Sequence, residues 1–201
     1  MALGKNTTIK TIISMVRIKT GTVIDDKITD ALFIDLLNMN VADLAKRLNE
    51  INAPFYMSSG TITLSGASYP ISSLAIDRLI KLVDGTLGLV LPVSTSEYEK
   101  ISLNTSQNGS SMYYVHEGEV IRIFKGASLA AHGTLTLHYY RVPTYATLTS
   151  EYPDIPDSFT ALLVKTLCSD IYSYKRDGQR DADKEKQIAD EIAGFKQAYG
   201  A

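Results

Sequence analysis

Apolar residues fall at helical spacing near both ends of this chain and at strand spacing between them. Ile9, Ile12, Ile13 and Val16 share one face of a helix predicted over residues 7–19, with Arg17 and Lys19 in its last turn and Gly21 beyond it. Its many β-branched residues lose side-chain freedom in a helix, which weakens its intrinsic helicity. A longer helix is predicted over 26–51, striped by Ile28, Ala31, Leu32, Leu37, Val41, Leu44, Ala45, Leu48 and Ile51. Within it, Ala31-Leu-Phe-Ile-Asp-Leu-Leu37 is apolar almost all round, more than one core-facing side explains. Either this stretch is enclosed within its own domain or a second surface packs on another subunit.

From Pro54 the period changes. Thr61-Ile-Thr-Leu64 alternates, Tyr69-Pro-Ile-Ser72 follows, and Ile76–Val83 fits both a helix and a strand. Asp84-Gly85 directly after it, then Leu87-Gly-Leu-Val-Leu91, favours a strand and a hairpin. Ser94 with Glu97 three residues on is the signature of a capping box, opening a short helix with Tyr98 and Ile101. Asn104–Ser111 reads as a polar loop. Met112–His116 and Val120–Phe124 form a second hairpin around Glu117-Gly118, and Leu135–Arg141 a further strand ended by Pro143, which has no N–H for a ladder. After a loop, Pro156 stands at a helix entrance, with Asp154 and Asp157 expected at the positive end of its dipole. That helix carries Phe159, Leu162, Leu163, Thr166, Leu167, Ile171 and Tyr174; a last one after Gly178 carries Ile188, Ile192, Phe195 and Tyr199. The predicted fold is α+β. Residues 1–52 and 153–201 form a helical bundle from the two termini, and 53–152 form an inserted antiparallel β-domain of sandwich or barrel type.

Composition removes several classes of function. The 201 residues carry a formal net charge of −2, which argues against general capture of nucleic acid, where a strongly basic face is needed. No apolar run approaches the roughly 18 residues of a membrane span. The start Met1–Asn6 lacks a signal-peptide pattern, and the single cysteine, Cys168, has no internal disulfide partner, so a reducing cytosol is expected. The N-x-S/T matches at Asn6, Asn104 and Asn108 then carry little meaning.

Candidate chemistry is thin. Cys168 with His116, His132 or His138 is the first nucleophilic pairing to weigh, but Cys168 adjoins an apolar stripe, where packing is the simpler reading. The histidines lack metal-ligand spacing, and His138 reads as a strand-face residue. Asp25, Asp26 and Asp30 fit a helix start better than a cation site. The charged run Lys175–Lys186 does not match a calcium loop, and no phosphate-binding or nucleophile-elbow motif occurs. No enzyme activity, cofactor or metal is expected. Twelve tyrosines and no tryptophan point instead to partly wet interfaces, since at most half of Tyr113, Tyr114, Tyr139 and Tyr140 can fill one core.

The order of segments resembles a known family. Tyr69–Val83, Glu97-Tyr98, Gly118–Phe124, Leu137–Pro143 and above all Ile155-Pro-Asp-Ser-Phe159 leading to Lys175-Arg-Asp-Gly178 are similar to head-to-tail adaptor (connector) proteins of tailed bacteriophages. The likeness spans residues 7–199 as a pattern and has no diagnostic short motif. It implies a structural virion protein, made in the host cytoplasm and located at the head–tail junction. Copies would form a ring, usually dodecameric, between the portal protein and a tail or nozzle protein, around a channel through which DNA passes without specific binding. A closed ring needs two different sticky surfaces per copy. Phe33 in the doubly apolar stretch, Tyr174, Lys175 and Arg176 at the C-terminal junction, and Ile188, Phe195 and Tyr199 are the expected partner contacts. The other reading is a tail-associated β-domain binding surface carbohydrate or another virion protein, which the missing tryptophan disfavours.

Overall fold

The computed structural model describes residues 7–23, 27–64, 66–85, 87–103, 111–125, 133–175, 186, 189–194 and 197. Two compact units divide the chain: residues 1–56 with 142–201, and residues 57–141. The fold is α+β.

In the first unit, α1 (Ile9–Thr20) begins where the Thr8 hydroxyl accepts from Thr11 N and ends at Gly21, whose φ of 66° is the left-handed conformation that glycine adopts without strain. Helix α2 (Asp30–Glu50) starts later than its hydrophobic stripe suggested, because Thr29 caps it through Leu32 N. Of the three acids expected at its start, Asp30 lies in the first turn, and Asp25 and Asp26 fall outside the described residues. Helix α4 (Thr160–Lys175) follows a single 3-10 turn, Asp157–Phe159, entered through Pro156. Both α1 and α2 pack on α4. Phe33, Ile34 and Leu37 are buried and Leu32 and Leu36 half-buried, so most of the apolar stretch is covered within its own unit.

Asp154 departs from its expected place at the helix dipole. Its carboxylate accepts from Thr144 N at 2.6 Å and its carbonyl from the buried Tyr56 hydroxyl at 2.8 Å, so it ties the loop before α4 instead. The last predicted helix is described only at 186, 189–194 and 197, where it is helical; Ile188, Phe195 and Tyr199 lie outside the described residues.

The second unit is one curled seven-stranded sheet: β1 (Met57–Thr63), β2 (Ser68–Pro70), β3 (Ile76–Asp84), β4 (Gly88–Pro92), β5 (Met112–Glu117), β6 (Val120–Lys125) and β7 (Thr134–Arg141), in the order β1-β7-β3-β4-β5-β6-β2. Ile76–Val83 is a strand, and the turn after it is held by the Asp84 carboxylate accepting from Leu87 N. Gly88 rather than Gly85 takes the positive φ.

The expected all-antiparallel pairing fails at one junction. Strand β4 pairs antiparallel with β3 through Leu82↔Val90 and Val83↔Leu89, then parallel with β5 through Leu91↔Tyr113 and Pro92↔Tyr114. A parallel pair needs a crossover, and α3 (Thr95–Leu103) supplies it. One sheet face gathers Ile62, Leu82, Val90, Ile121, Leu135 and Leu137 into a core. The reverse face of β5 and β6 buries Val115 and Phe124 under Tyr98 of α3. That cluster fixes where the crossover docks.

The capping box forms as the sequence predicts: Ser94 N donates to Glu97 Oε2 at 3.0 Å, and Glu97 N donates to the Ser94 hydroxyl at 3.3 Å. The backbone bond from Ser94, then the bond from its hydroxyl, hold the Glu97 carboxyl below the ordinary carboxylate range. A folded-state pKa below the unfolded one gives support that is complete above the unfolded value and lost as pH falls through the folded one. Amide protection in α3 is therefore expected to hold from pH 7 to 5 and to fall below about pH 4. Glu97→Gln should flatten that profile in hydrogen-exchange measurements across the same range.

Candidate assembly surfaces

Among the described residues no group of three or more His, Cys, Asp or Glu is placed to hold a metal. Burial pushes the Cys168 thiol pKa up, against a weaker pull from Lys19, the reverse of what a nucleophilic thiol needs. His116 and His138 belong to the β-unit and Cys168 to the helical unit, while His132 lies outside the described residues. A small, partly open cavity of about 10 Å³, room for one water, is lined by Asn40, Asp43, Leu44, Leu162, Leu163 and Thr166.

In the helical unit, α4 closes the end of α1. The Tyr172 hydroxyl donates to Lys19 O at 2.8 Å, and Lys175 Nζ to Thr20 O at 3.5 Å, satisfying carbonyls that a helix end leaves without partners. Beside this junction Ile18, Val23 and Tyr174 stand exposed, at 72%, 63% and 57% of their surface. Tyr174 and Lys175 are exposed, and Arg176 lies outside the described residues.

Phe33 is a correction. It is fully buried, with the Arg17 guanidinium 4.8 Å from its ring centroid, and presents nothing to a neighbour. Arg17 also donates to Thr22 O, Ile28 O and Asp30 Oδ1 at 2.8–2.9 Å. Arg17 thereby ties Thr22, after α1, to Ile28 and Asp30 at the start of α2.

A further exposed cluster went unread in the sequence. Asn38 of α2 donates to Ala146 O and accepts from Ala146 N, at 2.9 and 2.8 Å, imitating a strand partner for the loop after β7. Its sequence neighbour Met39 and the loop residues Tyr145 and Leu148 are all exposed. The available signal was an apolar residue off the α2 stripe at Met39.

The strand tyrosines divide as the alternation requires: Tyr114 and Tyr139 join the main core, and Tyr113 packs on the reverse face. Tyr114, Tyr139 and Tyr140 are all buried, Tyr140 beneath the Arg78 guanidinium at 4.8 Å. Tyr113 is half-buried against Phe124. The exposed tyrosines among the described residues, Tyr145, Tyr172 and Tyr174, all belong to the helical unit. On the β-unit the exposed large apolar groups among the described residues are Met57, Ile80 and Leu87, with Leu89 and Leu91 on the outer face of β4 and Leu103 at the end of α3, none of them aromatic.

Both units therefore carry apolar surface left over after their cores are filled. No curated protein matches the chain. The family model described as SU10 adaptor protein matches residues 7–201, from the start of α1 through the C-terminal segment. Since that match runs through both units rather than one of them, the chain belongs to the SU10 adaptor protein family, a family of phage head-to-tail adaptors.

Proposed function

We propose that this phage adaptor forms a closed homo-oligomeric ring between the portal protein and a tail or nozzle protein, surrounding the DNA exit channel. The observation that carries the proposal is the family match over residues 7–201. The ring is dodecameric in this reading, and the helical unit, a bundle completed by the C-terminal helix, meets the portal through Tyr174, Lys175, Arg176, Ile188, Phe195 and Tyr199.

Two kinds of surface support the reading. A ring closes through a heterologous contact, which needs two different patches per copy. Exposed apolar groups at Ile18 and Val23, and at Met39, Tyr145 and Leu148, are available for such contacts on one unit. A net charge of −2 also suits a lining past which DNA must slide without sticking.

Purified protein mixed with the portal protein of the same phage should give closed rings in negative-stain micrographs. Tyr174→Asp should weaken portal binding about tenfold, the usual consequence of losing one interfacial aromatic. The double variant Ile188→Asp/Phe195→Asp should abolish docking. A strictly monomeric chain with no affinity for the portal would overturn the proposal.

A further inference from the structure

The sheet of the β-unit has two outer strands, and their edges are defended very differently. Backbone register shows how. Leu64 N donates to Gly133 O at 2.6 Å, continuing the ladder in which Ile62 faces Leu135 and Gly60 faces Leu137. In an antiparallel pair the bonded residues alternate, so Ser58, Gly60 and Ile62 spend their N–H and C=O groups on β7. Met57, Ser59, Thr61 and Thr63 point theirs away from the sheet. No described residue bonds them there.

The same reasoning applied to β2 gives the opposite result. Ile123 N donates to Ala67 O and Ile71 N to Glu119 O, so the odd-numbered residues bond β6 and the outward positions are Ser68 and Pro70. Pro70 has no N–H to offer, and the strand is three residues long. A short edge blunted by proline is how a sheet refuses further strands. Strand β1 has none of these defences: its seven residues include no proline and no charge.

We infer that the free edge of β1 accepts an extended segment of another virion protein as an additional antiparallel or parallel strand. The chemistry of the occupant follows from the two faces beside that edge. On the outer face Met57, Ser59, Thr61 and Thr63 are exposed and mostly small and polar. On the core face Ser58 and Gly60 are too small to cover their surroundings, and Leu64 and Leu74 remain only partly buried against the core. A matching segment is extended, free of proline at its bonding positions, and apolar at alternate residues that would reach those leucines.

A second copy of the chain is a poor donor. Its other outer strand, β2, is too short and lacks the donor at Pro70, and pairing β1 with β1 is two-fold and closes at two copies. Among the described residues the chain thus holds no complementary edge for a head-to-tail contact. The inferred donor is therefore a different protein, and a second copy is the outcome that the test below distinguishes. Because the portal contact is assigned to the helical unit, the probe is the tail or nozzle protein, a choice that rests on the function proposed above.

Hydrogen exchange tests this directly. In the isolated protein the amides of Ser59, Thr61 and Thr63 should exchange quickly while those of Gly60 and Ile62 are protected. Adding the separately purified tail protein should slow the three outward amides at least about tenfold. Thr61→Pro gives β1 what Pro70 gives β2, removing an outward N–H without touching the bonds to β7. It should abolish tail-protein binding while leaving circular dichroism and portal binding unchanged. Should that variant fold poorly, Ser59→Pro makes the same test one outward position earlier.

Outward amides that stay fast in the complex, or proline variants that bind as wild type, would overturn the inference. So would protection that appears in the isolated protein and grows with its concentration, since a second copy would then be the occupant. If the wild-type chain forms no complex with the tail protein, the strand-addition site is refuted, whereas portal-ring assembly stands or falls on its own micrographs.

Discussion

Phe33→Ala is expected to lower the stability of the isolated chain by about 3–5 kcal/mol, the usual range for emptying a fully buried phenylalanine site. The lost cation–π contact with Arg17, 4.8 Å above the ring, adds about 0.5–1 kcal/mol. Of the Arg17 contacts, the ion pair to Asp30 is the weak one. That carboxylate is 63% exposed, and exposed pairs contribute about 0.2–1 kcal/mol. Bonds from a charged donor to the carbonyls of Thr22 and Ile28 are worth about 1.5–3 kcal/mol each. Asp30→Asn should therefore cost under about 1 kcal/mol. Arg17→Lys should cost several times more, because an ammonium cannot present separate donors to both carbonyls while lying flat on a ring. Urea denaturation of the three variants measures all of this. Were Phe33 a contact for a neighbouring copy, its replacement would leave the midpoint of the isolated chain unchanged and affect assembly alone.

Phe33 also shows what local pattern conveys and what it does not. The run 31–37 announced that more than one surface covers it, and that is so. Which surface depends on Arg17, thirteen residues before Asp30 and on another helix, and no periodicity reports such a contact. Signals confined to a few residues were legible: Gly21 ends α1, Asp84-Gly85 turned an ambiguous apolar run into β3, and Ser94 with Glu97 opens α3.

Signals set across the chain were not legible. The parallel join of β4 to β5 depends on Tyr98 docking against Val115 and Phe124, a packing event rather than a pattern. Strand β1 begins at Met57, earlier than the alternation from Thr61 suggested, because Ser58, Ser59 and Gly60 have little intrinsic strand preference and are held there by pairing with β7. The unguarded edge is equally silent in the sequence: serine, glycine and threonine read as ordinary loop-like polarity until the register reveals which N–H groups point outward. Of the exposed apolar and charged groups, Tyr174 and Lys175 were singled out by sequence, whereas Met39, Tyr145 and Leu148 emerged only once Asn38 was seen clasping Ala146.

Leu137→Ala should be the most damaging truncation in the β-unit, at the upper end of the roughly 2–5 kcal/mol spanned by buried leucine sites. Leu137 is fully buried on β7, between β1 and β3, and faces Leu82 on one side and Gly60 on the other. Gly60 has no side chain with which to fill the void, so the site collapses poorly and the cavity persists. The same geometry predicts a partial rescue. A Cβ at Gly60 would sit 3.5 Å from the Leu74 methyls and 3.6 Å from the Tyr139 ring, ordinary contact distances, and Gly60 does not need a positive φ. Gly60→Ala alone should be neutral or stabilising by about 0.4–1 kcal/mol through the unfolded chain. Combined with Leu137→Ala it should recover more than that, because the added methyl lies on the core face opposite the void. The excess is the coupling energy of a double-mutant cycle read by thermal or urea denaturation. A cycle with no excess would mean that Leu82 and its neighbours close the gap from the β3 side. Since residue 60 spends its backbone groups on β7 and its side chain on the core, this rescue should leave the outward amides of Ser59 and Thr61 exchanging as in the wild type.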